Sequence, residues 1–120
     1  MKSTMTTITV GLIALFAMPN LATALTMNQF SSICQSAEMP CSKVPILNAY
    51  VGGALDLIAM LDEETGYLDK VYCKPTKTLF DVPTIIQYME KKQTQFADKN
   101  AMLVLIRYLE EHGGCQREKG

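Results

Sequence analysis

The sequence predicts an all-α fold, a small bundle of about four helices stabilised by disulfides. Three observations carry that expectation. Apolar residues recur at three- and four-residue spacing along the chain, with no sustained strand-like alternation. All four cysteines follow an apolar N-terminal run that has the features of a cleaved export signal. Removing residues 1–24 from the 120 leaves 96 residues, the size of one domain (25–120) with no room for a second module.

The signal reading rests on order as well as composition. Lys2 supplies the positive start, and Ile8 to Met18 (ITVGLIALFAM) is an apolar run of eleven residues. A spanning helix needs about 20 apolar residues, so this run is too short to anchor the chain. Pro19 and Asn20 break it, and Ala22-Thr23-Ala24 matches a small-x-small cleavage site. The competing reading is a core helix of a cytosolic domain. No later run reaches spanning length, so no membrane insertion of the mature chain is expected. The expected location is the periplasm.

The mature chain carries 12 Asp+Glu against 10 Lys+Arg, because Lys2 leaves with the signal. A mildly acidic chain without a basic block is a poor nucleic-acid binder. At 48% hydrophobic and 19% charged, the composition is not that of a disordered chain.

The first helix is expected over 27–37, with Met27, Phe30, Ile33 and Cys34 on one face. Thr26 and Gln29 stand in capping-box spacing. Pro40 breaks the chain before a long second helix over 45–62, in which Pro45 suits the first turn. Leu47, Val51, Ala54, Leu55, Ile58 and Leu61 form its apolar stripe. Gly52-Gly53 lies inside it at a propensity cost of about 2 kcal/mol. Either something such as another helix approaches closely there, or the pair is a kink. Asp62 to Lys70 reads as a polar loop turning at Gly66. A third helix is expected over 79–92, capped by Thr78 or Asp81, with Phe80, Val82, Ile85, Ile86 and Met89 facing inward. A loop from Gln93 to Phe96 leads to a fourth helix over 99–112, capped by Asp98 and stopped by Gly113-Gly114. Met102, Leu105, Ile106 and Leu109 supply its inner face. Residues 117–120 are expected to be loose.

Cys34, Cys41, Cys73 and Cys115 make an even count in a small exported chain, which reads as a disulfide framework with three possible pairings. The last two helices should form an antiparallel hairpin. That geometry favours Cys73–Cys115 at its open end, leaving Cys34–Cys41 to close a local loop. Zinc-site spacing is absent, and a thiol nucleophile would need a histidine partner, for which His112 is the single candidate.

His112 lies in the last turn of a helix, where a cation is favourable, and reads as a solvated cap. Asp62, Glu63 and Glu64 are consecutive and do not define a facing carboxylate pair. No phosphate-loop, zinc-protease or nucleophile-elbow motif occurs. The residues therefore favour a binding protein over an enzyme, with no cofactor or metal expected.

Several features then recur in a recognisable order. They are Ala49-Tyr50-Val51-Gly52-Gly53-Ala54-Leu55-Asp56, Tyr72-Cys73-Lys74-Pro75, Ile86-Gln87-Tyr88-Met89 and Gly114-Cys115. Over about residues 30–115 this order resembles the Rap/Tai family of type VI secretion immunity proteins. One departure is Leu47-Asn48, where relatives carry a cysteine just before the Tyr-x-x-Gly segment. The resemblance implies a periplasmic, mostly helical homodimer that inhibits a secreted peptidoglycan amidase by placing a loop in its cleft. Candidate loops are Asp62–Lys70, with Asp62, Glu63, Glu64 and Tyr67, and Gln93–Phe96, with Phe96. Gly52 and Gly53 are the candidate dimer contacts. Two other functions stay open: an acid-stress chaperone and a structural envelope subunit.

Overall fold

The computed structural model describes residues 24–116. The fold is all-α. The elements are α1 (Met27–Ser36), a short 3₁₀ turn (Cys41–Lys43), α2 (Pro45–Thr65), α3 (Thr76–Leu79), α4 (Val82–Lys91) and α5 (Ala101–His112). Apart from Ala24, the expected signal lies outside the described residues, as do the last four. Among the described residues, no helix is long and apolar enough to cross a membrane.

Local chemistry explains most boundaries. The Thr26–Gln29 capping box forms in both directions at the start of α1. Pro45 stands in the first turn of α2. That helix runs three residues beyond the expected Asp62, because its termination signal is Gly66. Gly66 adopts a left-handed conformation at φ 68° and its N–H donates to the Asp62 carbonyl at 2.8 Å. The acids Asp62, Glu63 and Glu64 are therefore the end of a helix and not a loop.

The expected third helix is two helices. Phe80 and Asp81 interrupt it, since Pro83 fits only a new first turn. The Asp81 side chain caps α4 by accepting from Thr84 N at 3.2 Å. Asn100, and not Asp98, caps α5, accepting from Met102 N at 2.9 Å.

Long-range backbone bonds tie down the start of α1. Met27 N donates to Lys99 O at 2.9 Å, Asn28 N to Ala97 O at 3.0 Å and Ala101 N to Leu25 O at 2.8 Å. The chain ahead of α1 thus pairs with the chain ahead of α5, as an isolated Thr26–Asn100 bridge.

The core lies where α4 meets the 3₁₀ turn, α2 and α5. Phe30, Leu47, Val51, Ile85, Met89 and Leu105 are fully buried there. Ile33, Cys34, Ala54, Phe80, Val82, Met102 and Ile106 pack on it partly buried, and Leu61 is exposed. Val104 and Tyr108 are buried although the expected inner face of α5 omitted them. Gly52 makes no tight approach: an added Cβ would sit 4.0 Å from Val82. Gly53 faces open space. Among the described residues, no close helix contact explains the pair.

Both disulfides take the favoured pairing. Cys34–Cys41 joins α1 to the 3₁₀ turn, and Cys73–Cys115 joins the segment after α2 to the end of α5. They place the folded chain in an oxidising, exported environment.

Candidate functional site

The end of α2 and the turn that follows form the most built-up surface. Asp62 organises it. Its backbone carbonyl receives the Gly66 N–H, and its Oδ1 accepts from Leu68 N at 3.0 Å. Tyr67 N donates to Thr65 Oγ1 at 3.2 Å. These bonds fold residues 66–72 into consecutive turns, closed by Val71 N to Leu68 O at 2.9 Å. Tyr67 projects from the first turn and is 82% exposed.

The turn rests on a fixed base. Cys73 N and Lys74 N both donate to Gly113 O at 2.8 Å. An added Cβ on Gly113 would lie 2.7 Å from Tyr72 Cα, so only glycine lets the end of α5 come this close. The Cys73 and Cys115 sulfurs lie 3.3 and 3.6 Å from the Asp69 carbonyl oxygen. Tyr72 is buried beneath, edge-on to Phe80 at 5.2 Å between ring centres.

A cavity of about 560 Å³ opens beside this turn, lined among others by Asp62, Glu63, Asp69, Tyr72 and Lys74. A hydrogen bond to Asp62, then the repulsion of its charge, holds the Asp69 carboxyl above the usual value of 3.8. Burial first, and then the Asp62 charge, raises the Tyr72 hydroxyl, which also donates to Asp62. The paired carboxylates face a cavity that Glu63 makes more acidic. Glu64 does not line it.

The second expected loop is different. Phe96 lies in turns between α4 and α5, half-buried against the core. Its ring is therefore only partly available to a partner. Tyr50 is half-buried on the core and burial raises its hydroxyl. The structure thus brings Asp62, Glu63 and Tyr67 to one end of the molecule and leaves Phe96 in a separate turn.

A second cluster escaped the sequence reading. Tyr88, Tyr108 and His112 stack at 4.6 to 5.9 Å between ring centres. Lys92 Nζ sits 5.4 Å from the centre of the Tyr88 ring. Burial and a hydrogen bond to Glu111 push the Tyr88 hydroxyl up to about 12. His112 is the exposed lid of this stack and not a bare cap. Its signal was the four-residue spacing of Tyr108 and His112 on α5.

Cys34, Cys41 and Glu90 bring their ligand-type atoms within 4.8 Å of one another. The two sulfurs are bonded together, so this cluster offers no thiolate to a metal.

Fold and site together define a small, disulfide-braced helical domain that displays one anchored aromatic turn beside an acidic cavity. Comparison with protein-family models, curated proteins and solved structures finds no match for this chain.

Proposed function

We propose that this protein is a periplasmic immunity protein, exported by a cleaved signal, that binds and inhibits a secreted peptidoglycan amidase of a type VI secretion system. The observation that supports this reading most is the Tyr67 turn. A protein inhibitor works best when its inserted segment is already ordered, since less entropy is then lost on docking. Here the turn is held by the Asp62 side chain below, the Gly66 cap behind and the Cys73–Cys115 disulfide at its base. Tyr67 offers a large amphipathic ring to a partner pocket.

Asp62 and Glu63 give the surround a negative charge, which suits a partner with cationic groups at the rim of its cleft. Inhibition in this reading is steric. The turn occupies the cleft that cell-wall peptide would enter, and no residue of this chain performs chemistry on it. The order of motifs from Tyr50 to Cys115 supports the amidase as target through the family resemblance.

The test is a pull-down from periplasm containing the candidate effector, followed by a cell-wall hydrolysis assay. Loss of hydrolysis on adding the protein supports the reading, and continued hydrolysis at saturating protein removes it. A second reading, an acid-stress chaperone, draws on the exposed apolar residues Ile46, Leu57 and Met60 of α2. It requires binding to many unfolded clients on acidification, where the immunity reading requires one partner at neutral pH.

A further inference from the structure

Cys34, Cys41 and Glu90 stand on three elements that are each held in place by more than the S–S bond. Met27 and Phe30 bury the inner face of α1, and Met27 N donates to Lys99 O at 2.9 Å. The 3₁₀ turn is pinned by Asn48 Nδ2, which donates to Ser42 O at 3.0 Å and Val44 O at 2.9 Å. That turn packs on α4, where Ile85, Ile86 and Met89 are buried and Glu90 is exposed. Opening the disulfide therefore leaves two thiols and a carboxylate facing one another.

We propose that the dithiol form of this chain binds one zinc ion through Cys34 Sγ, Cys41 Sγ and a Glu90 carboxylate oxygen, and that oxidation to the disulfide expels it. The three donor atoms lie within 4.8 Å of one another. Zinc with bonds of about 2.3 Å to sulfur and about 2.1 Å to oxygen holds its donors about 3.6–3.8 Å apart. Rotation of exposed Glu90 and half-buried Cys34 is enough to meet that geometry, and water fills the fourth position. Two thiolates select zinc over magnesium or calcium, which prefer oxygen alone. Among the described residues, no histidine or carboxylate joins Cys73 and Cys115 in the same way. The seven-residue interval from Cys34 to Cys41 is longer than ordinary zinc spacing, and Glu90 lies far along the chain, so the sequence hid the group.

The metal and the disulfide exclude each other, because both use the same two sulfurs. Zinc binding displaces the proton of each thiol. Oxidation takes two electrons from the two sulfurs, joins them and frees the ion. A small-molecule or protein disulfide accepts those electrons and leaves as two thiols. A chain bound for an oxidising compartment passes through the dithiol form before its disulfides close. Zinc at this site keeps Cys34 and Cys41 from mispairing with Cys73 or Cys115 until an oxidant arrives. The proposal makes no use of the Tyr67 turn or of the amidase reading.

Zinc titration of the full chain tests it, with a phosphine as reductant so that no foreign thiol competes. The reduced protein should keep its helices by circular dichroism and take up one zinc ion in calorimetry, while the oxidised protein takes up none. Alkylation in the presence of zinc, followed by peptide mapping, should leave Cys34 and Cys41 protected and Cys73 and Cys115 modified. Glu90→Gln alters an exposed side chain, so it should stay folded and bind zinc about tenfold more weakly or worse, since even outer-shell partners count for that much. Oxidised glutathione should release the ion as the Cys34–Cys41 bond re-forms. Absence of uptake, equal protection of all four cysteines, or unchanged affinity in Glu90→Gln overturns the proposal. Loss of the helices on reduction overturns it too, because no site then remains to be filled.

Discussion

Tyr67 separates binding from folding more cleanly than any other side chain here. It is 82% exposed, and its backbone is held by bonds that do not involve its ring. Tyr67→Ala should weaken effector binding by about 2 kcal/mol in a titration. Its melting temperature should stay unchanged, since surface substitutions of this kind fall within about 0.5 kcal/mol. Asp69 makes a different prediction. Its folded pKa is raised by the hydrogen bond to Asp62 and that group's charge, so its stabilising contribution is present below the unfolded value of 3.8. That contribution is lost as pH rises through the raised folded value. At neutral pH the two carboxylates repel. Asp69→Asn keeps a donor toward Asp62 without the charge, so thermal melts should show it more stable than wild type at neutral pH. The gain should shrink at acid pH. A variant less stable than wild type at neutral pH would contradict this account.

Glycines at two places in the fold have opposite expected effects, and the difference lies in what a side chain would meet. Gly113→Ala forces a methyl group to within 2.7 Å of Tyr72 Cα and should destabilise by about 1–3 kcal/mol in chemical denaturation. Gly52→Ala would meet Val82 only at an ordinary 4.0 Å, and should stabilise the helix by about 1 kcal/mol. The sequence set one pair inside a helix and the other at a helix end, but it did not show what an added side chain would meet at either. It did carry the faces of the helices, since burial of Leu47, Val51, Leu55 and Ile58 follows directly from their spacing. The capping box at Thr26 was also legible, and Asp81 was one of two expected caps, because both act within a few residues. The extension of α2 through Thr65 was not, as a run of acids resembles a loop until Gly66 is known to be its cap. The Thr26–Asn100 bridge and the Asp62–Asp69 pair were also hidden. The bridge links distant segments, and the pair depends on how the turn after Gly66 folds. Of the candidate site, the Tyr67 loop was legible and its bracing by the disulfide was not.

At the scale of the whole molecule, two disulfides divide the work unequally. Cys73–Cys115 spans 42 residues and closes the domain from the end of α2 to the end of α5, whereas Cys34–Cys41 spans 7. Restriction of the unfolded chain makes the long link worth about 4 kcal/mol and the short one about 2.4 kcal/mol. Replacing Cys73 and Cys115 with serine should therefore lower the denaturation midpoint more than replacing Cys34 and Cys41. It should also loosen the Tyr67 turn, which rests on the longer link, and so weaken effector binding beyond the effect on stability. The central claim is that this turn blocks a cell-wall amidase. Its most direct test is a titration of the protein into an effector digesting purified peptidoglycan, read as the rate of stem-peptide release. The account predicts that release falls to background as binding saturates, and that Tyr67→Ala needs more protein to reach the same point. Undiminished release at saturating wild-type protein would contradict it.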